Sequence, residues 1–308
     1  SIYSDSVGIG YIFIANLVAT IVTILLLLPE MLSSSWNFKL KLWKKMMVFA
    51  LPLMVAGLAG VTNETIDRIL LSYLLPSNTA ASQVGVYGAY YKLSIIMTLF
   101  IQTFRFAAEP FFFAQEKEHN AKKIYADIMK FFTIITATIF LTVMIYYDLV
   151  EQFIGGDFHD SRGLVVVPVL LFANLFLGIY YNVSVWFKLT EKTRFGAYLA
   201  LFGAFITLVL NFALIPSLGF VGSAWATLIC YFSMTVASYF VGKKHYPVPY
   251  DFKRIGLYLG TTLLLFALSL YFYLGTWINT LYVIIFIGIA YLLERPKKRL
   301  NSKPELFE

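Results

Sequence analysis

An all-α polytopic membrane protein of about nine spanning helices is the fold class this sequence predicts, and three observations carry it. Apolar stretches of roughly 17–30 residues follow one another along the chain, separated by short polar breaks. A hydrocarbon core ~30 Å thick takes ~20 residues of helix to cross. Backbone groups in lipid must bond within their own segment, so such stretches are helices. The composition agrees: 59% of the 308 residues are hydrophobic, 18% aromatic and only 13% charged, with a mean hydropathy of +0.75. Soluble domains carry roughly 25% charged residues. The third observation is the placement of the positive charge.

Spanning helices are expected at 7–29, 46–75, 84–113, 125–150, 164–187, 195–215, 220–241, 255–274 and 277–293. Alternate connections hold Lys39, Lys41, Lys44 and Lys45; then Lys117, Lys122, Lys123 and Lys130; then Lys188, Lys192 and Arg194; then Lys243, Lys244, Lys253 and Arg254; and finally Arg295, Lys297, Lys298, Arg299 and Lys303. These are 20 of the 24 Lys and Arg residues, and the opposite set of connections holds Arg162 alone. Positive residues stay on the cytoplasmic side. The bias therefore puts the tail after Tyr291 in the cytoplasm and Ser1 outside. The net charge of +7 is a topology signal and gives no case for nucleic acid as a partner. Trp277, Tyr271 and Tyr273 at one end, and Trp36, Trp43 and Trp186 at the other, suit interface anchors. The single cysteine, Cys230, lies inside an apolar helix and makes no disulfide framework. Pro52, Pro110 and Pro168 fall within spans, where proline kinks a helix and frees a carbonyl.

Ionisable side chains at membrane depth are costly and are the first candidates for function. Six stand out: Glu64, Asp67 and Arg68 in the second span, and Lys92, Arg105 and Glu109 in the third. Folding the two spans as a hairpin about residues 79 and 80 sets Asp67 opposite Lys92, and an Asp67–Lys92 ion pair is expected there. Such a pair would reduce the burial cost of both charges. Glu64 and Arg68 stand at i and i+4, favourable for a pair on one helix. Gly57 and Gly60 share their face and leave room for close approach or a cavity. In the third span Tyr91, Ser94, Thr98, Gln102, Arg105 and Glu109 step by three or four. A polar stripe that long faces protein or water rather than lipid, with Arg105 turned to a cavity and Lys92 off the stripe. The residues alone leave two bland readings open. Arg105 and Glu109 lie near the inner interface, where side chains snorkel. Glu64, Asp67, Arg68 and Lys92 also suit a structural ion network. Asn174, Asn182 and Asn211 suit hydrogen bonds between helices. His119, His159 and His245 lie in loops without metal-ligand spacing, and nothing calls for a cofactor or a catalytic residue.

Four segments resemble one family. Asp67-Arg68-Ile69-Leu70-Leu71-Ser72-Tyr73-Leu74-Leu75 resembles the end of the seventh helix of bacterial polysaccharide flippases, and Val84 to Lys92 (VGVYGAYYK) the start of their eighth. Glu109-Pro110-Phe111-Phe112 resembles the exit of that helix. Asn211 to Pro216 (NFALIP), with Gly219, Gly222, Ala224, Ala226 and Thr227, resembles the step between helices eleven and twelve. The family is the oligosaccharide, O-antigen type branch of the superfamily that also holds multidrug extruders and the lipid II flippase.

The resemblance implies two six-helix lobes around a central cavity. Residues 1–30 would supply the last helix of the first lobe, 31–45 a basic cytoplasmic linker, 46–241 the second lobe, and 242–308 two extra helices and a basic tail. A Gly-rich start recurs at Val7-Gly8-Ile9-Gly10 and Gly219-Phe220-Val221-Gly222, as a parallel repeat would have it. The function implied is translocation of an undecaprenyl-diphosphate-linked oligosaccharide across the bacterial inner membrane, with no covalent bond broken. Its partners would be that lipid-linked substrate, membrane lipids and the polysaccharide polymerase machinery. Arg68, Arg105 and Gln102 are the candidate substrate contacts. Glu64, Asp67, Lys92 and Glu109 are candidates for ion coupling or a charge network. The 308-residue stretch, as part of a two-lobe transporter, is expected not to transport by itself. A cation-coupled drug extruder would use Glu64 and Asp67. A membrane-embedded glycosyltransferase or polymerase would need a sizeable aqueous loop, and the longest on that side offers only Asp157, His159 and Asp160. A scaffold that moves nothing would tolerate neutral replacement of Arg68 or Arg105.

Overall fold

The computed structural model describes residue 8 and residues 10–33, 37–272 and 275–295. Trp36, Tyr273, Val7, Ile9 and the basic residues after Arg295 lie outside the described residues, and with them part of the expected anchors, repeat and tail. The described residues hold nine helices long and apolar enough to cross a membrane. Helix is the only regular structure among them.

The elements in order are α1 (Gly10–Ser33), α2 (Leu40–Leu74), α3 (Ser77–Leu93), α4 (Ile95–Gln115), α5 (Ala121–Ile145), the short α6 (Tyr147–Glu151) and a 3-10 turn at Gly156–Phe158. There follow α7 (Gly163–Ser184), the short α8 (Trp186–Leu189), α9 (Arg194–Leu218), α10 (Phe220–His245), α11 (Phe252–Tyr271) and α12 (Thr276–Glu294). The chain divides into two units, Ser1–Val48 and Phe49–Glu308.

In the first unit α1 is apolar all round and buries none of its residues. Pro29, at the expected end of that span, sits inside the helix. The basic segment expected to be a linker is helical from Leu40, so Lys41, Lys44 and Lys45 are on the first turns of α2.

The second unit is built around α7, whose residues are nearly all buried. It packs against α10, α5, α4 and α3, while α10 packs against α9. Ring contacts tie the layers together: Phe132 of α5 lies 5.8 Å from Phe100 and 4.6 Å from Phe104 of α4, and Phe140 meets Phe172 of α7 and Phe266 of α11. The α9–α10 turn shows the tightest backbone approach. Gly219 takes φ +59°, and a Cβ on Gly222 would stand 2.6 Å from the carbonyl oxygen of Leu214. Backbone cannot yield as a side chain does, so Gly222→Ala is expected to cost about 1–3 kcal/mol, in the range of overpacking. A thermal melt in detergent would read this as a lowered Tm.

Helices α11 and α12 pack on α5, and one carboxylate ties all three together. Glu294 Oε2 lies 2.7 Å from Lys130 Nζ of α5, and Glu294 Oε1 accepts from Arg254 at 2.8 Å and from Tyr258 at 2.6 Å. Lys130, expected as one of the topology charges, is therefore a structural ion-pair partner with only 12% of its side chain exposed. Glu294→Ala would leave Lys130 with only the more exposed Asp127, 3.2 Å away. Losing a charge-assisted bond to a largely buried lysine costs about 1.5–3 kcal/mol, so a lower Tm and easier protease cleavage of the 246–251 connection are expected.

The third expected span is two helices. Ser94 interrupts it: its hydroxyl turns back to the Tyr91 carbonyl at 2.7 Å, and its own N–H bonds the same carbonyl at 3.1 Å. A serine that bonds its local backbone competes with the helical ladder.

Candidate functional site: a charged and aromatic cavity

A cavity of about 470 Å³ lies within the second unit, walled by α2, α4, α7–α8, α9 and α10. It sits in the half nearer the lysine-rich connections, because its walls use the late residues of α4 and α7 and the middle of α2, Leu53 to Glu64. Three features of the sequence open it. Gly57 and Gly60 present no side chain, and no atom of another element comes within 4 Å of where their Cβ would be. Pro52 lies five residues before Gly57 in α2. The polar stripe of α4 then turns Gln102, Arg105 and Glu109 to the same space.

Two cations and two carboxylates line the cavity: Arg105, Lys188, Glu64 and Glu109. Glu109 Oε1 accepts a charge-assisted hydrogen bond from Lys188 Nζ, and its Oε2 lies 3.8 Å from Arg105 Nε. The Arg105 guanidinium stacks 4.6 Å from the centre of the Tyr181 ring, a cation–π contact that holds it flat against α7. Glu64 makes no ion pair with any described residue. Tyr180, Tyr231, Phe104, Phe112 and Phe187 complete an aromatic wall. Asn63 and Asn182 line the space too, each about 3% exposed, and each has a side-chain oxygen without a partner. A buried polar atom left unbonded in a cavity wall is available to a ligand or to water.

The expected ion pair between Asp67 and Lys92 is not formed. Asp67, 1% exposed, accepts from Tyr87 at 2.9 Å, from Thr227 at 2.9 Å and from Asn211 at 3.1 Å. The hairpin does bring α3 to Asp67, but with Tyr87 in front. Lys92 is five residues further along, about 140° around the helix, and points out of the packed unit as an exposed side chain. Arg68 does not line the cavity; its guanidinium lies 4.8 Å from the Tyr91 ring. The stripe Glu64–Asp67–Arg68 thus divides: Glu64 faces the cavity, Asp67 the packed interior and Arg68 an aromatic neighbour. Of the seven candidates, Gln102, Arg105, Glu64 and Glu109 share one space, and Asp67, Arg68 and Lys92 do not.

Lys188 is the main residue that sequence reasoning missed, having been counted as a topology charge. The signal was there: Tyr181, Ser184 and Lys188 step by three and four, a second polar stripe that ends on a cation. Asn211 does bond between helices, to Asp67, and Ser223 donates to Asn211 Oδ1 at 2.6 Å.

Residues 7–115 match the model of a family described as polysaccharide biosynthesis protein. The matched third includes α2 and α4, with Glu64, Gln102, Arg105 and Glu109, and three of the four segments that carry the resemblance to flippases. It supports a polysaccharide-related membrane protein of many spans. Comparison with curated proteins and with solved structures returns no match.

Proposed function

We propose that this chain is part of a flippase that moves an undecaprenyl-diphosphate-linked oligosaccharide across the bacterial inner membrane, with its lysine-rich end in the cytoplasm. The observation that carries the reading is the cavity. It sets two cations and three tyrosines around one space, and two of its wall helices, α2 and α4, fall in the stretch matched by a polysaccharide biosynthesis family. Arg105 and Lys188 would meet diphosphate oxygens, for which a guanidinium offers paired donors. Gln102, Asn63 and Asn182 would take sugar hydroxyls, and the tyrosine faces would stack on sugar rings. The polyprenyl tail would stay in lipid. Alternating access would rock this lobe against another. Glu64 and Asp67 would carry a coupling proton or cation, and the protein would make or break no covalent bond. Polymerase machinery would take the delivered substrate.

The test is complementation. The gene, at full length, would go into a bacterial strain whose own glycan flippase is deleted, with surface polysaccharide as the readout. Restored polysaccharide supports the reading. Failure in a strain that makes a compatible glycan, with dye efflux gained instead, would favour the drug extruder.

A further inference from the structure

We infer that Glu109 is a placeholder for the substrate's anion: it occupies the two cavity cations when the site is empty and is displaced when a diphosphate group arrives. This deepens the proposed function and rests on it. The geometry is specific. Lys188 reaches the cavity from α8 and Arg105 from α4, and both converge on the one carboxylate of Glu109. Glu109 is a third exposed and the Arg105 side chain 39% exposed, whereas the Lys188 side chain is 18% exposed. Lys188 is the most buried of the three and Arg105 has Tyr181 as a second partner, so the carboxylate is the member of the trio free to leave. Arg105 is pinned by Tyr181 and stays where it is when the carboxylate goes.

A carboxylate brings one negative charge and two oxygens to this pair of cations. A diphosphate brings more charge and more oxygens at the same hydrogen-bonding distances. Exchange would keep both cations paired throughout, and a half-buried lysine would never be left bare, which is the costly state. The displaced Glu109 would turn towards Gln102, about two helical turns back on the same face. The device also sets specificity. A neutral glycolipid offers nothing to replace the carboxylate and would find the cations already taken.

The experiment is equilibrium binding to the purified protein at low ionic strength, where electrostatics are least screened. The probes are farnesyl diphosphate, inorganic pyrophosphate and farnesol. Glu109→Gln removes the competitor and keeps the shape, so it should bind a diphosphate at least tenfold more tightly than the wild type. Lys188→Gln added to it should erase the gain, and farnesol should respond to neither change. A gain for the tailed diphosphate alone assigns a lipid headgroup as the ligand. An equal gain for pyrophosphate assigns a soluble source. Should Glu109→Gln fail to fold, Glu109→Asp, with a shorter reach to Lys188, should show a smaller gain in the same direction. Unchanged or weakened diphosphate binding in the folded variant would overturn the exchange. If complementation succeeds all the same, the flippase reading stands without it; if diphosphate binding is absent and complementation fails, both fall.

Discussion

Asp67→Ala is expected to cost about 3–5 kcal/mol and to lower the Tm in detergent accordingly. The magnitude follows from which donors lose their acceptor. Tyr87 donates only to Asp67 and would be orphaned at 0% exposure. Asn211 Nδ2 would keep its bond to the Thr207 carbonyl but lose the one to Asp67. Thr227 can turn its hydroxyl to the Ser223 carbonyl at 3.0 Å, so its loss is small. Two unsatisfied buried donors at ~1–3 kcal/mol each, plus the vacated volume, give the total. Asp67→Asn keeps one acceptor and the volume and should cost less, about 1–2 kcal/mol. Because this knot joins α2, α3, α9 and α10, Asp67→Ala should also loosen the closure of α2 over the cavity. A wild-type Tm for the alanine variant would mean that the network contributes nothing to stability. Normal stability with lost transport in Asp67→Asn would give Asp67 the coupling role proposed for it.

The second large effect is functional. Arg105→Ala should reduce polysaccharide export at least tenfold at unchanged protein level, since a charge-assisted hydrogen bond contributes about 1.5–3 kcal/mol and each 1.4 kcal/mol is a factor of ten. Arg68→Ala should have a much smaller effect, because Arg68 leans on Tyr91 outside the cavity lining. Export assays and blots of the two variants side by side separate site from structure. Equal loss in both would show that the cavity geometry does not select the functional arginine.

The sequence and the structure agree where the chemistry is one-dimensional. A span is a count of apolar residues, so nine spans could be read without knowing any neighbour. The α4 stripe could be read as well, because Gln102, Arg105 and Glu109 share a face by spacing alone. What escaped the sequence depends on partners. Asp67 was assigned to Lys92 from depth in the membrane, but azimuth chooses the partner, and azimuth put Tyr87 there. Lys130 and Lys188 looked like topology charges because each lies near a helix end. Only packing shows that one meets Glu294 and the other Glu109. The break at Ser94 carries no proline or glycine to announce it, and comes from a serine hydroxyl that bonds its own backbone. Spacing places a side chain on a face, and the neighbour then decides whether that face is a site.

Movement of a lipid-linked sugar between leaflets is the activity to measure. The protein expressed from its own gene would be reconstituted in liposomes with a fluorescent undecaprenyl-diphosphate-linked disaccharide in both leaflets. A membrane-impermeant quencher would follow transfer between them. Transfer well above that of protein-free liposomes is expected, with a fall towards that background in Arg105→Ala. Transfer no faster than in protein-free liposomes, with folded protein and an ion gradient of either sign, would contradict it.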